Sequence, residues 1–149
     1  MTATAHAVIG TVIAAKIGNP YLAVPMALAS HIVADYIPHW DTATNVKQKG
    51  KERVMMQTLF DIALGFFVSF ILLSTIFTQT NPVYALCIIF VAQSLDWLTA
   101  PYYFLKIKTP PFYWAYKFQK LFDHEMQAPW GIISQIVIVL LIVFLAKIL

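Results

Sequence analysis

Residues 131–149, GIISQIVIVLLIVFLAKIL, form an apolar run whose single charged side chain is Lys147. About 20 such residues in a helix are enough to cross the hydrocarbon core of a bilayer. The rest of the chain has the same character, because 60% of its 149 residues are hydrophobic and only 11% are charged. We therefore predict an all-α integral membrane protein with a single membrane domain over residues 1–149.

Four further apolar segments precede this run, and clusters of proline, glycine and asparagine separate them. Residues 110–125 instead mix aromatic side chains with lysines, which is typical of a helix lying in the membrane interface. The pattern predicts a bundle of about five transmembrane helices, with an interfacial aromatic and basic helix before the last span. The expected spans are about 3–16, 20–37, 54–77, 83–105 and 128–147.

The basic residues lie mostly on one side of this five-span arrangement. One side holds eight of them, Lys47, Lys49, Lys51, Arg53, Lys106, Lys108, Lys117 and Lys120, whereas the other holds Lys16 and Lys147. Since Lys and Arg are retained in the cytoplasm, we predict a multi-pass inner-membrane protein with a cytoplasmic N-terminus and an external C-terminus. The net charge of +3 suits anionic lipid headgroups, so we expect membrane lipids and no nucleic acid as partners.

The ionisable residues converge on the cytoplasmic half of the predicted bundle. His31 and Asp35 are spaced i, i+4, so their side chains leave one face of a helix. Asp61 and Asp96 fall inside predicted spans, where an ionisable group costs on the order of 3 kcal/mol and usually faces a partner or a cavity. At the same depth lie His6, His39, Asp41, Asp123, His124 and Glu125.

Asp61 and Asp96 have no Lys or Arg at matching depth to neutralise them, and a divalent cation or a proton would do so. The alternatives are a protonated acid bonded to Gln93, Ser94 or Thr99, or plain hydrogen bonds between helices. Cys87 is the single cysteine, and ligation by His and Asp without thiolate suits zinc first, with manganese or iron as alternatives. We predict one or two ions, and a carboxylate left over could serve as general base.

Five motifs carry these residues: TAHAVIG, SHIVADYIPHWD, LFDIALG, SLDWLTAP and FDHEMQAPWG. In this order they resemble the YdjM-like family of bacterial and archaeal membrane-bound metal-dependent hydrolases. The resemblance implies metal ligands at His6, His31, Asp35, His39, Asp96 and His124, with Asp41 and Asp61 as further candidates, to which we assign the catalytic roles.

The function that follows is a membrane-embedded hydrolase acting on a lipid or lipid-linked phosphoester or ester at the cytoplasmic face. Metal-activated water would be the nucleophile. One alternative is a proton- or ion-coupled transport or relay protein that uses Asp61 and Asp96. Another is a membrane scaffold whose buried polar groups only fix helix packing. A homodimer is compatible with so small a bundle.

Overall fold

The computed structural model describes residues 1–149, and it confirms the all-α prediction. The one exception is an isolated parallel bridge between His39 and Glu125. The helices are α1 Ala3–Lys16, α2 Pro20–Tyr36, α3 Val46–Lys49, α4 Lys51–Thr75, α5 Pro82–Ala92, α6 Ser94–Leu105, α7 Phe112–Gln119 and α8 Trp130–Ile148.

Helix α1 is the centre of the bundle. Eleven of its fourteen residues are buried, and it packs against α2, α4, α5 and α8. A helix that is apolar on every side must be surrounded by protein or lipid, and here the surrounding helices cover it. The Thr2 side chain begins the helix by accepting a hydrogen bond from the Ala5 amide.

Small residues allow α1 to approach its neighbours closely. A methyl group added at Gly10 would lie 2.9 Å from the Ala92 Cβ and 3.0 Å from the Ile89 Cα of α5. One added at Gly65 of α4 would lie 3.0 Å from the Thr4 Cα. Such close contacts between backbones are typical of helix packing in membranes, and they bring the polar ends of α1, α4 and α5 together.

The prediction of five spans is not confirmed. Helices α4 and α8 are long and apolar enough to cross a membrane, and α5 with α6 could form a third span broken by a 49° bend. The predicted first span is a helix of 14 residues, about 21 Å long against a hydrocarbon core of about 30 Å. The structure therefore has two, or up to three, helices of spanning length, which is compatible with a membrane protein.

The outer faces of these helices are apolar. Phe60 and Phe70 of α4 are 71% and 67% exposed, and Leu140 and Phe144 of α8 are 64% and 58% exposed. Soluble monomers rarely expose apolar patches of this extent. Contact with lipid would account for them.

The segment predicted to lie in the interface contains a shorter helix than expected. Helix α7 covers Phe112–Gln119 and packs on α6, where the Tyr116 and Tyr102 ring centroids are 4.5 Å apart. After α7 the chain turns back toward the start of α1 and the end of α2. This turn brings Gln119 and Asp123 to the polar end of the bundle.

Candidate metal site

Two groups of potential metal ligands lie at one end of the bundle. His6, His31 and Asp96 stand on helices α1, α2 and α6 and are called the helix group here. His39, Asp41 and Asp123 stand on connecting segments and are called the loop group. Within each group, one ligand atom from each residue lies within 4.8 Å of the other two.

The helix group is formed where three helices meet. The His6 and His31 rings are stacked, with centroids 3.9 Å apart and an angle of 7° between the planes. His31 Nε2 lies 3.6 Å from Asp96 Oδ1. Asp96 is in the first turn of α6, so the bend between α5 and α6 places its carboxylate beside the two rings.

Asp35 lies between the two groups. Its Oδ1 is 3.1 Å from His6 Nε2 and 3.9 Å from His39 Nε2, and its Oδ2 is 3.2 Å from His31 Nε2. The amino group of Met1 also contacts Oδ1. The Asp35 carboxylate is thus buried and faces histidines of both groups.

Two buried histidine nitrogens have no hydrogen-bond partner. His31 Nδ1 lies 2.6 Å from the Ala92 carbonyl and His39 Nδ1 lies 2.8 Å from the Ile37 carbonyl. Since a carbonyl oxygen only accepts, each Nδ1 carries the proton and Nε2 of the neutral ring has a free lone pair. Both Nε2 atoms are buried without a hydrogen bond. A lone pair facing carboxylate oxygens in this way is suited to a cation between them.

The break between α5 and α6 explains the orientation of His31. Gln93 separates the two helices, and its side-chain amide donates to the Ala3 carbonyl at 2.9 Å. No backbone amide bonds the Ala92 carbonyl across this break. The carbonyl is therefore free to accept the proton of His31 Nδ1.

Backbone pairing between two connecting segments holds the loop group. The His39 amide donates to the His124 carbonyl at 3.1 Å, and the Trp40 amide donates to the Gly131 carbonyl at 3.1 Å. An added methyl group at Gly131 would lie 2.7 Å from the Trp40 nitrogen. The segment that carries His39 is thus packed tightly onto the start of α8.

The carboxylates of the loop group are in different electrostatic surroundings. Burial raises the pKa of Asp41, and the nearby Asp123 and Glu125 raise it further. Burial also acts to raise the pKa of Asp123, but the His39 ring and the Lys120 ammonium outweigh it and hold that pKa below its ordinary value. Lys120 Nζ lies 2.7 Å from Asp123 Oδ2 and 2.9 Å from Glu125 Oε1. At Asp41 the N-terminal ammonium acts to lower the pKa, but burial and the two neighbouring acids outweigh it.

The residues present fit a divalent metal ion. Ligand atoms held at about 2.1 Å by a tetrahedral ion lie about 3.4 Å apart. The separations from His31 Nε2 to Asp96 and from His39 Nε2 to Asp123 Oδ1 are 3.6 and 3.4 Å. Imidazole and carboxylate without thiolate are ligands of zinc, manganese and iron. The two groups of donor atoms could therefore hold a metal ion.

Two residues of the predicted site lie outside both groups. Asp61 accepts hydrogen bonds at the amino end of α1, from the Ala3 amide at 2.6 Å and the Thr4 hydroxyl at 2.6 Å. His124 is exposed, and its ring meets the edge of Tyr36 with centroids 4.9 Å apart. The other predicted residues lie together; they are His6, His31, Asp35, His39, Asp41 and Asp96.

Two residues of the site were not among the predicted ligands. The sequence predicts Asp123 at the same depth as the other candidates, but the family resemblance implies its neighbour His124 as the metal ligand. Gln119 was not considered, although its amide nitrogen lies 2.7 Å from Asp96 Oδ1 and 3.5 Å from Asp35 Oδ2. No spacing rule distinguishes Asp123 from His124, because the direction of a side chain in a turn depends on the local backbone.

A cavity of about 480 Å³ opens beside the site. Its walls include Asp41, Asp96 and Asp123 together with Lys120, and apolar side chains of α4 and α6 such as Leu59 and Phe104. Helix α4 packs mainly on α1, and α6 packs mainly on α7, so the cavity lies between two helix pairs. Charged groups and apolar walls thus share one cavity.

The chain matches no protein-family model, no curated protein and no solved structure. The resemblance to the YdjM-like family therefore stays a prediction from the motifs, and the functional argument rests on the geometry of the site.

Proposed function

We propose that this protein is a membrane-embedded, metal-dependent hydrolase that acts on a lipid or lipid-linked phosphoester or ester. The observation that carries the proposal is the pair of buried, unpartnered Nε2 atoms of His31 and His39, each facing carboxylate oxygens. Leaving a buried polar atom unpaired costs about 1–3 kcal/mol. A cation bound beside either histidine would remove this cost at that histidine.

The cavity beside the site supports an amphiphilic substrate. A pocket of this size can enclose a small ligand or part of a larger one, and here the ligand carboxylates form part of a wall that is otherwise largely apolar. A polar headgroup placed at Asp41, Asp96 and Asp123 would leave its hydrocarbon part against α4 and α6. Lipid phosphoesters and lipid esters combine a polar headgroup with a hydrocarbon part in this way.

Each residue of the site has a distinct task in this proposal. The histidines and Asp35 hold the ion, which supplies the Lewis acidity that activates water and polarises a phosphoryl or carbonyl oxygen. Asp41 and Asp61 both line the cavity. Asp41 is the preferred general base, because its hydrogen bonds from Thr44 occupy only Oδ1, whereas Asp61 accepts hydrogen bonds on both carboxylate oxygens. Lys120, which is 44% exposed, is placed to contact an anionic headgroup.

The uneven distribution of basic residues supports a cytoplasmic position for the site. All eight basic residues of the predicted cytoplasmic side lie in the segments 46–53 and 106–120, close in sequence to Asp41, Asp96 and Asp123. With α4, the α5–α6 pair and α8 as spans, the external C-terminus of the five-span prediction is retained. We therefore propose reaction at the level of the cytoplasmic headgroups.

A transport function requires a polar path through the opposite half of the bundle. The buried side chains there include Ile13, Val12, Phe77 and Ala146, which offer no such path. We therefore prefer hydrolysis to proton or ion relay.

The proposal is tested with protein purified in detergent, freed of metal by a chelator and reconstituted with Zn²⁺ or Mn²⁺. Phosphoesters and carboxyl esters that share one headgroup are compared as long-chain and short-chain forms. We expect metal-dependent product release, with the long-chain form preferred, in wild type and in His124→Ala. His31→Ala should release none.

The matched variants decide between hydrolysis and the scaffold alternative. His124→Ala and His31→Ala remove the same side chain, but only His31 faces the carboxylates. A wild-type protein that binds no metal and cleaves none of these esters would overturn the proposal and leave helix packing as the role of the buried polar groups.

A further inference from the structure

We infer that the site holds two divalent cations, one in the helix group and one in the loop group, bridged by the Asp35 carboxylate. The inference rests on the proposed metal-dependent function, and it adds the number of ions and the residue that joins them. It is carried by the position of Asp35 and by the distribution of the unpartnered histidine nitrogens.

The first step of the argument is the distribution of the histidines. His31 belongs to the helix group and His39 to the loop group, and the Nε2 atom of each is buried and unpartnered. An ion in the helix group gives His31 Nε2 a partner but leaves His39 Nε2 unpartnered. An ion in the loop group gives a partner to His39 Nε2 only. Two ions are therefore needed to give both nitrogens a partner.

The second step is the geometry around Asp35. Its Oδ2 is 3.2 Å from His31 Nε2, and its Oδ1 is 3.9 Å from His39 Nε2. These separations lie near the value of about 3.4 Å expected of two ligand atoms that share one tetrahedral ion. Oδ2 thus faces the helix group, and Oδ1 lies between His6 of the helix group at 3.1 Å and His39 of the loop group. The carboxylate reaches both groups, as a carboxylate that bridges two ions does.

The third step is the completeness of each group. The helix group offers two imidazoles and Asp96, and the loop group offers one imidazole with Asp41 and Asp123. With Asp35 shared, the ion of the helix group has four protein ligands. The ion of the loop group has three, His39, Asp123 and Asp35, and Asp41 stays free as the general base. These numbers match the three or four ligands that proteins commonly present to zinc.

The fourth step concerns Gln119 of α7. Its amide nitrogen lies 2.7 Å from Asp96 Oδ1 and 3.5 Å from Asp35 Oδ2, so it contacts a ligand of the helix group and the bridging carboxylate. A neutral donor at this position orients both carboxylates, as the outer partners of metal ligands do.

The test measures metal binding itself and does not depend on hydrolysis. Detergent-purified protein, stripped of metal by a chelator, is titrated with Zn²⁺, and bound metal is counted by elemental analysis. The same protein loaded with Mn²⁺ is examined by electron paramagnetic resonance. We expect two ions per chain and the spectrum of a magnetically coupled Mn²⁺ pair in wild type.

Three histidine variants assign the ions to their groups. His31→Ala and His39→Ala should each bind a single ion per chain and show the spectrum of uncoupled Mn²⁺. His124→Ala, which removes an exposed histidine outside both groups, should bind two coupled ions like wild type. Because the wild-type spectrum alone reports the coupling, a variant that fails to fold does not remove the test.

The outcomes separate this inference from the proposed function. One ion per chain, or two ions without magnetic coupling, would overturn the bridged pair and leave a metal-dependent hydrolase intact. Two coupled ions in a protein that cleaves no lipid ester would support the pair and count against hydrolysis. Absence of bound metal would overturn both.

Discussion

Asp35 and Asp61 are both carboxylates carried by apolar helices near the polar end of the bundle, and their surroundings differ. Asp61 accepts hydrogen bonds from the Ala3 amide and the Thr4 hydroxyl, which belong to the first turn of α1. Asp35 faces the rings of His6, His31 and His39. The first carboxylate completes a helix end, whereas the second is surrounded by potential metal ligands.

This difference distinguishes an acid that suggests a metal site from one that only stabilises the fold. The free amides at a helix start attract negative charge and can neutralise a carboxylate without a metal. The start of helix α1 therefore accounts for the presence of the Asp61 carboxylate inside the bundle. Asp35 is also paired with the amino group of Met1, but this pair does not account for its histidine neighbours, two of which present unpartnered nitrogens.

The largest effect is expected when the charge of Asp35 is removed. Asp35→Asn should weaken metal binding by at least about 100-fold, since even outer partners of ligands contribute about 10–100-fold. The measurement is a Zn²⁺ titration of detergent-purified protein. Asp61→Asn, the same chemical change at the other carboxylate, is the control. Equal losses in the two variants would remove the distinction between them.

A smaller effect on metal binding is expected at Gly131, which lies against the segment that carries His39. Gly131→Ala places a methyl group 2.7 Å from the Trp40 nitrogen, so the segment must shift and His39 with it. Metal binding by the loop group should weaken by about 10–100-fold. Gly18→Ala, where an added methyl group meets no atom within 4 Å, should leave metal binding unchanged, and a matching loss there would refute the steric explanation.

Gln119→Leu should weaken metal binding by about 10-fold, the lower end of the range for partners of metal ligands. Leucine keeps the volume of the side chain but cannot donate to Asp96 and Asp35. The thermal unfolding midpoint of the metal-free protein, measured alongside, should change little. If metal affinity is unaltered, Gln119 does not orient these carboxylates.

The smallest effect on metal binding is expected for Asp61→Asn, which should retain the wild-type number of ions and change stability instead. The new amide nitrogen cannot accept a hydrogen bond, so the bond from the Ala3 amide or the one from the Thr4 amide is lost. We expect a loss of about 1–3 kcal/mol in the free energy of unfolding, measured by denaturation in mixed micelles. Loss of bound ions without loss of stability would instead place Asp61 in the metal site.

Part of the fold and of the site was open to prediction from the residues. The all-α architecture followed from long apolar runs, and His31 and Asp35 were expected on one face because of their i, i+4 spacing. The predicted number of spans was not confirmed, since α1 is short and buried at the centre. Apolar composition does not distinguish a helix covered by protein from one covered by lipid.

The amino-acid sequence by itself determined the helices, their apolar surfaces and the position of most histidines and acids toward one end of the bundle, because these depend on composition and on spacing along one chain. Only the tertiary structure decided that Asp35 faces three histidines, that Asp61 completes α1, and that Asp123 rather than His124 joins the loop group. Those outcomes depend on residues brought in by other helices and on backbone directions in turns. Neither is encoded in the spacing of a single segment.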